Sequence, residues 1–182
     1  MIINTTFTII AIIISYWVFK NTYRRVFTVW EHKTTLHFIH GKLIGILEPG
    51  KHTLWGIGHT IKTMENRLQH IIIQSQDIPA SDGITVKTSV VGLYKIQDAV
   101  KAFQTSTDPA SALHTLIQLA LRDIISTSDT EELLKSRGQL GFILMEKITQ
   151  GATSLGLTVS ELAVRDIILL SLIHISEPTR RS

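Results

Sequence analysis

The sequence predicts an α+β fold: a β-rich half, then a helical half with one returning strand, all behind an N-terminal membrane helix. Three observations carry that expectation. Period-two alternation is clearest over 84–96, where Ile84, Val86, Thr88 and Val90 share one face, Thr85, Lys87 and Ser89 take the other, and Tyr94 and Ile96 continue the first. An apolar stripe at 3.6-residue spacing runs through Leu113, Leu116, Ile117, Ala120, Leu121, Ile124 and Ile125. Residues 1–19 carry no ionisable side chain.

A chain of 182 residues holds one ordinary domain and a short appendage, not two full domains with a linker. Lys and Arg number 18 against 15 Asp and Glu, for a formal charge of +3. The positive residues are spread along the chain rather than gathered in one run, so there is no electrostatic case for nucleic acid. A charged fraction of 18% and a mean hydropathy of +0.21 argue against disorder and point toward membrane contact. The absence of cysteine excludes a disulfide framework, a thiolate nucleophile, a zinc ribbon and an iron–sulfur cluster.

Residues 1–25 are expected to form a membrane anchor and its basic flank. The apolar segment would reach about 28 Å as a helix, close to the ~30 Å hydrocarbon core. Its anchor residues are Phe7, Ile9, Ile10, Ile12, Ile13, Ile14, Tyr16, Trp17, Val18 and Phe19. Tyr16, Trp17 and Tyr23 sit where interface aromatics belong, and Lys20, Arg24 and Arg25 follow as topology-setting cations. No Lys or Arg precedes the apolar run and no small-residue cleavage pattern follows it, which is unlike a secretory signal. The charge asymmetry places the N-terminus outside and the body in the cytoplasm. A shallow helix or re-entrant hairpin, giving a monotopic rather than single-pass protein, is the rival geometry; a cleaved signal and a buried core helix are the other readings.

In the body, Val26–Glu31, Thr34–Ile39 and Lys42–Leu47 read as short strands. His40-Gly41 makes a turn and Glu48-Pro49-Gly50 a stop. Lys51–Trp55 is a further strand, followed by the flexible Gly56-Ile57-Gly58, and Arg67–Gln76 is a fifth run around Ile71-Ile72-Ile73. Pro79 to Gly83 holds a tight Asp-Gly turn before the alternating strand. Asp98–Gln104 reads as a short helix, and Asp108-Pro109 as the N-cap and first position of the long one. Ser128-x-x-Glu131 has the form of a capping box. Leu140, Ile143, Leu144, Ile148, Ala152 and Leu155 mark another helix, which Gly156 stops, and Leu157–Leu169 returns to strand. No linker divides this body, so it reads as one domain. Residues 170–182, from Leu170 to Ser182, resemble a translated transposase adapter from sequencing-library preparation. They are expected to be an artefact, beyond which the natural chain continues past Leu169.

The order of these pieces resembles the SPFH (stomatin, prohibitin, flotillin, HflK/C) or Band 7 domain, most of all the stomatin-like slipins, over 26–169. The landmarks are Gly41-Lys-Leu-Ile-Gly45-Ile-Leu-Glu-Pro49-Gly50, Gln76-Asp77-Ile78, Asp82-Gly-Ile-Thr-Val86 and Tyr94-Lys-Ile96-Gln-Asp98. They continue with Ala120-Leu-Arg122, Glu132-Leu-Leu-Lys-Ser-Arg137, Gly156-Leu-Thr-Val159 and Val164-Arg-Asp166-Ile167. Ala99 departs from the pattern, since many relatives have Pro after the Asp. The C-terminal helical region through which members assemble is missing from this sequence. The resemblance implies a non-enzymatic membrane scaffold that forms homo-oligomers on membrane lipid. Its work would be organising membrane microdomains and membrane-protein quality control, with a membrane protease as a possible partner. Being the regulatory subunit of such a protease is the alternative role.

An enzyme reading finds little to use. His32, His37, His40, His52 and His59 lie close in sequence and suggest a membrane-bound metal-dependent hydrolase, but no pair has the i, i+4 spacing of a zinc helix and no acidic ligand stands near. Solvated or turn histidines are the expectation, with no metal and no cofactor. No Gly-x-Ser-x-Gly elbow occurs, and Gly41-Lys42 lacks the rest of a phosphate loop. Asp77 and Asp82 read as turn residues, and Glu131 and Glu132 as first-turn partners of a helix dipole. Arg122 and Arg137 are expected on helix faces as salt-bridge partners, with an interface role as the alternative; the apolar stripes are expected in the core, with partner packing in an oligomer as the alternative, and Tyr94 and Phe103 in the core.

Overall fold

The computed structural model describes residues 9–17 and 24–170. The chain divides into two compact units, 1–67 and 68–182.

In the first unit, residues 9–17 form a helix, α1. Five strands follow: β1 (Arg24–Val29), β2 (Lys33–Ile39), β3 (Lys42–Leu47), β4 (Gly50–Trp55) and β5 (His59–Glu65). β1 and β4 pair as an antiparallel ribbon, from Arg24 opposite Trp55 to Val29 opposite Gly50. The other three make an antiparallel sheet in the order β3-β2-β5. β2 is its central strand, and Thr35, Leu36, His37 and Phe38 are all buried, so both of its faces are covered. His40 and Gly41 turn β2 into β3 with φ of 49° and 81°, the doubly left-handed turn whose twist matches a hairpin.

Two expectations shift here. β1 starts at Arg24 rather than Val26, because Arg24 and Arg25 pair with Trp55 and Leu54; at its far end the chain turns at Glu31–His32, where Lys33 N–H donates to Trp30 O at 3.0 Å. β5 was not anticipated. Its half-buried positions, His59, Ile61, Met64 and Glu65, break strict alternation, and the strand exists through a seven-residue register with β2.

The second unit contains β6 (Gln69–Pro79), β7 (Thr85–Ile96), α2 (Ala99–Thr105), α3 (Pro109–Thr127), α4 (Thr130–Lys135), α5 (Leu140–Ser154) and β8 (Leu157–Leu170). The sheet is antiparallel, in the order β6-β7-β8. Ile71, Ile73, Ile78, Val86, Val90, Leu157 and Val159 face Leu113, Ile117, Leu121, Ile124, Leu144 and Ile148 in one core. β6 runs three residues past its expected end, and the register shift between Ile73 and Gln76 absorbs the break in alternation. Leu170, assigned above to the tail, pairs with Thr85 as the last residue of β8; 171–182 lie outside the described residues.

The helix boundaries follow their caps. Asp98 Oδ1 accepts from Lys101 N–H at 3.0 Å, and Asp108 Oδ1 from Ala110 and Ser111 N–H at 3.1 and 3.3 Å, with Pro109 first in the helix as expected. The capping box at Ser128 does not form: Ser128 is the C-cap of α3, and Asp129 occupies the N-cap of α4 without a side-chain bond. On α5 the stripe is narrower than expected. Leu140, Leu144, Ile148 and Ala152 are buried, but Ile143 is exposed, as is Phe103 on α2. Tyr94 is in the core, its hydroxyl donating to Gln69 Oε1 at 3.1 Å.

Gly156 ends α5 at φ 72°, and a Cβ there would stand 2.6 Å from Asp98 O and 2.8 Å from Ala102 N. Gly156→Ala is therefore expected to cost more than about 2 kcal/mol, from the left-handed backbone and the clash together, read as a lowered denaturant midpoint. Thr88 is 1% exposed, beside a void of about 10 Å³, and its hydroxyl has no hydrogen-bond partner among the described residues. Thr88→Val keeps the shape and removes that group, so the same measurement should show stabilisation of about 1 kcal/mol.

Candidate functional site

The anchor residues named above divide by position. Phe7, Val18, Phe19 and Lys20 lie outside the described residues, as does Tyr23. Ile9, Ile10, Ile12, Ile13, Ile14, Tyr16 and Trp17 lie on α1, and each is between 53% and 68% exposed. The helical form of this segment is thus present over 9–17. Those nine described residues rise about 14 Å, and among the described residues no helix is long and apolar enough to cross a membrane.

Arg24 and Arg25 are exposed at the start of β1. The register sets Trp55 opposite Arg24, whose guanidinium carbon lies 5.9 Å from the Trp55 ring centroid. The chain then turns through Gly56-Ile57-Gly58, where Ile57 is 72% exposed. One end of the ribbon therefore carries two cations, an amphipathic aromatic and an apolar loop tip. Sequence reasoning missed Trp55 and Ile57 as surface features. Their signal was two large apolar residues around a glycine that only the register brings beside Arg24.

Four of these histidines, His32, His37, His52 and His59, are engaged by the protein itself. His52 Nε2 lies 2.7 Å from Glu48 O, and its ring stacks on Phe27. The His32 ring is tilted against Trp30. His37 Nε2 lies 2.9 Å from His59 Nδ1, and His59 Nε2 lies 2.9 Å from Trp55 O. Burial, then the neighbouring His59, holds the His37 pKa below its ordinary value. Among the described residues no group of three or more His, Asp or Glu is placed to hold a metal ion.

In the second unit the turn residue Asp82 does more than turn the chain. Its Oδ1 accepts from Ile84 N–H at 3.0 Å, while Oδ2 accepts from Thr130 N–H at 3.2 Å and from the Thr130 hydroxyl. A carboxylate 48 residues away thereby caps α4 in place of Ser128. These bonds, that of Thr130 first, hold the Asp82 pKa down to about 2, and the facing Asp82 raises that of Asp129. Asp77 behaves differently. With Gln76, Thr115, Gln118, Leu119 and Arg122 it lines an open cleft of about 310 Å³ between β6 and α3.

Among the described residues Arg122 forms no salt bridge, contrary to expectation, because its helical neighbours at three and four residues are Leu119, Gln118, Ile125 and Ser126. Asp123 instead pairs with Lys147. Arg137 lies in a turn after α4 and donates to Arg165 O at 3.4 Å. Glu131 pairs with Lys135 one helical turn on, at 2.8 Å. The cleft presents opposite charges but no nucleophile with a base, since the Thr115 hydroxyl donates to Ser111 O.

The fold and these surfaces define an α+β domain behind an apolar, cation-flanked N-terminal segment. Residues 27–171 match the SPFH domain / Band 7 family, and the chain belongs to that family. It is 24% identical to a stomatin homologue of Pyrococcus horikoshii over 139 residues, 76% of this chain and 52% of the relative. It is 22% identical to stomatin of Mus musculus over 163 residues, 88% of this chain and 55% of that protein. An uncharacterised protein of Archaeoglobus fulgidus is 28% identical over 139 residues, 76% of this chain and 56% of its own length. The chain thus spans little more than half the length of these relatives.

Asp82 provides a direct test of the α3–α4 junction. Its carboxyl carbon is expected to titrate near pH 2 by NMR, rather than near 3.8. Because the folded pKa is depressed, the stability this group contributes is present above pH 3.8 and lost as pH falls toward about 2. The melting temperature of Asp82→Asn should lie below that of the parent at neutral pH, and the gap should close across that window.

Proposed function

We propose that this protein is a non-enzymatic, membrane-anchored scaffold that oligomerises to organise membrane microdomains and membrane-protein quality control. The observation that carries the reading is the N-terminal helix over 9–17, whose large apolar side chains are exposed, in a member of the SPFH domain / Band 7 family. Its continuation over residues 2–19 would supply the anchor. The Arg24–Trp55 end of the ribbon, five residues beyond that segment, suits the headgroup region, where cations and amphipathic aromatics are favoured. Exposed Leu119, Leu134 and Phe142 in the second unit offer apolar contacts between copies. Confinement to a plane raises effective concentration, so such weak contacts suffice for assembly. The body then lies on the cytoplasmic side.

The reading is tested by fractionation and by native mass after detergent extraction of the full-length protein. Wild type is expected in the membrane pellet and, extracted, as a large homo-oligomer. Paired Ile12→Lys and Ile13→Lys changes each add roughly 3 kcal/mol to the cost of insertion, and should move the chain to the soluble fraction. A clean monomer would count against the scaffold, and one stoichiometric protease co-purifying without homo-oligomers would favour the regulatory-subunit role.

A further inference from the structure

Asp82-Gly83 is the one Asp-Gly pair in the sequence, and no Asn-Gly occurs. Such a pair has a chemistry of its own. The glycine nitrogen can attack the aspartate Cγ, because glycine has no Cβ to obstruct the approach. The new N–Cγ bond closes a five-membered succinimide, and one carboxyl oxygen leaves as water with the amide proton and the acid proton. Water then adds back. At Cγ it breaks the new bond and restores aspartate. At the main-chain carbonyl of Asp82 it breaks the original peptide bond, and the chain runs on through Cγ as isoaspartate, with no net change in mass.

In this fold both reactants are held. The proton of the nucleophile is engaged, since Gly83 N–H donates to Ala80 O at 3.0 Å, and Ala80 N–H donates to Ile84 O at 2.9 Å across the same turn. The electrophile is engaged at both oxygens, Oδ1 by Ile84 N–H and Oδ2 by the Thr130 N–H and hydroxyl. Three donors on a carboxylate favour its ionised form, which has no hydroxyl to release. The Asp82 pKa is accordingly held down to about 2.

The bonds to Thr130 reach outside the turn, 48 residues along the chain. Thr130 is 7% exposed at the first position of α4, and Leu133, 1% exposed, holds that helix in the core. Turning the Asp82 carboxyl toward Gly83 with Thr130 in place would strip a buried N–H and hydroxyl of their acceptor, which is costly. The rotation becomes cheap once the start of α4 moves away, and Asp129, whose carboxyl faces that of Asp82, departs with it. Asp82 and Gly83 are themselves exposed, so water for the second step is at hand. Isoaspartate carries its carboxylate directly on Cα and adds a carbon to the main chain. The group that spanned Ile84 and Thr130 is then gone.

We infer that Asp82-Gly83 is a latent modification site gated by Thr130: opening of the α3–α4 junction exposes it to isomerisation, and an isomerised chain no longer closes that junction. The site marks chains that have spent time open. It goes beyond the scaffold reading and needs neither the anchor nor assembly.

The test ages the full-length chain in neutral micelles beside a peptide of residues 79–86 blocked at both ends. Electron-transfer fragmentation in a mass spectrometer counts isoaspartate at position 82. The folded chain should isomerise about ten-fold or more slowly than the peptide, and urea should remove the difference. Hydrogen exchange of the Thr130 amide in the same buffer reports opening of the gate itself, and its protection should equal the slowing of isomerisation within about three-fold. A folded chain that isomerises as fast as the peptide overturns the guard. A Thr130 amide protected far more, or far less, than the reaction is slowed overturns Thr130 as the gate. Thr130→Val keeps the shape, removes the hydroxyl, and should isomerise several-fold faster than wild type; an unchanged rate in the folded variant overturns the gate as well. Should that variant not fold, the wild-type comparison decides alone. In the isomerised product the Thr130 amide should have lost its protection, and retained protection overturns the claim that the junction stays open.

Discussion

The second unit depends on the double pairing of β7. Its twelve residues lie between β6 and β8, so its backbone groups bond on both edges and its side chains take strictly alternate sides. Val86, Val90 and Tyr94 then form a fixed floor on which the stripe of α3 closes. A slip of one residue would exchange that floor for Thr85, Lys87 and Ser89, which is why the register tolerates so little change. The two register shifts against β8 accommodate the longer path of the returning strand without turning the apolar face outward.

Around this floor, close backbone approaches and satisfied helix ends set the positions of the helices. Gly141 brings the start of α5 onto β8, where a Cβ would lie 2.4 Å from Leu162 O. Asp82 ties the β6–β7 turn to the α3–α4 junction, and Ser81 N–H reinforces it by donating to Ser128 O at 3.1 Å. Every one of these links joins residues far apart in sequence. The unit is therefore cooperative at its edges as well as in its core.

The first unit is organised differently. Its strands are short and its exposed surface is rich in large apolar groups, including Trp30, Ile44, Ile46, Trp55 and Ile57. Of its histidines, His52 and His59 place ring nitrogens against backbone oxygens, and His37 and His59 bond to one another. Those features, with the apolar helix at 9–17, agree with a chain whose working surface is its exterior.

The amino-acid sequence by itself determined the α+β class, the alternation of β7, the cap at Asp108, the stop at Gly156 and the family landmarks. Each is a local matter of period, cap chemistry or backbone freedom. Tertiary structure decided what depends on distant partners. β5 exists because β2 offers it an edge, Asp82 displaces Ser128 as the cap of α4, and Ile143 lies outside the buried stripe of α5. The same holds at the surface, where Trp55 meets Arg24, and His37 meets His59, only through strand register. Their separations of 31 and 22 residues leave no periodic signal, and antiparallel pairing alone makes them neighbours.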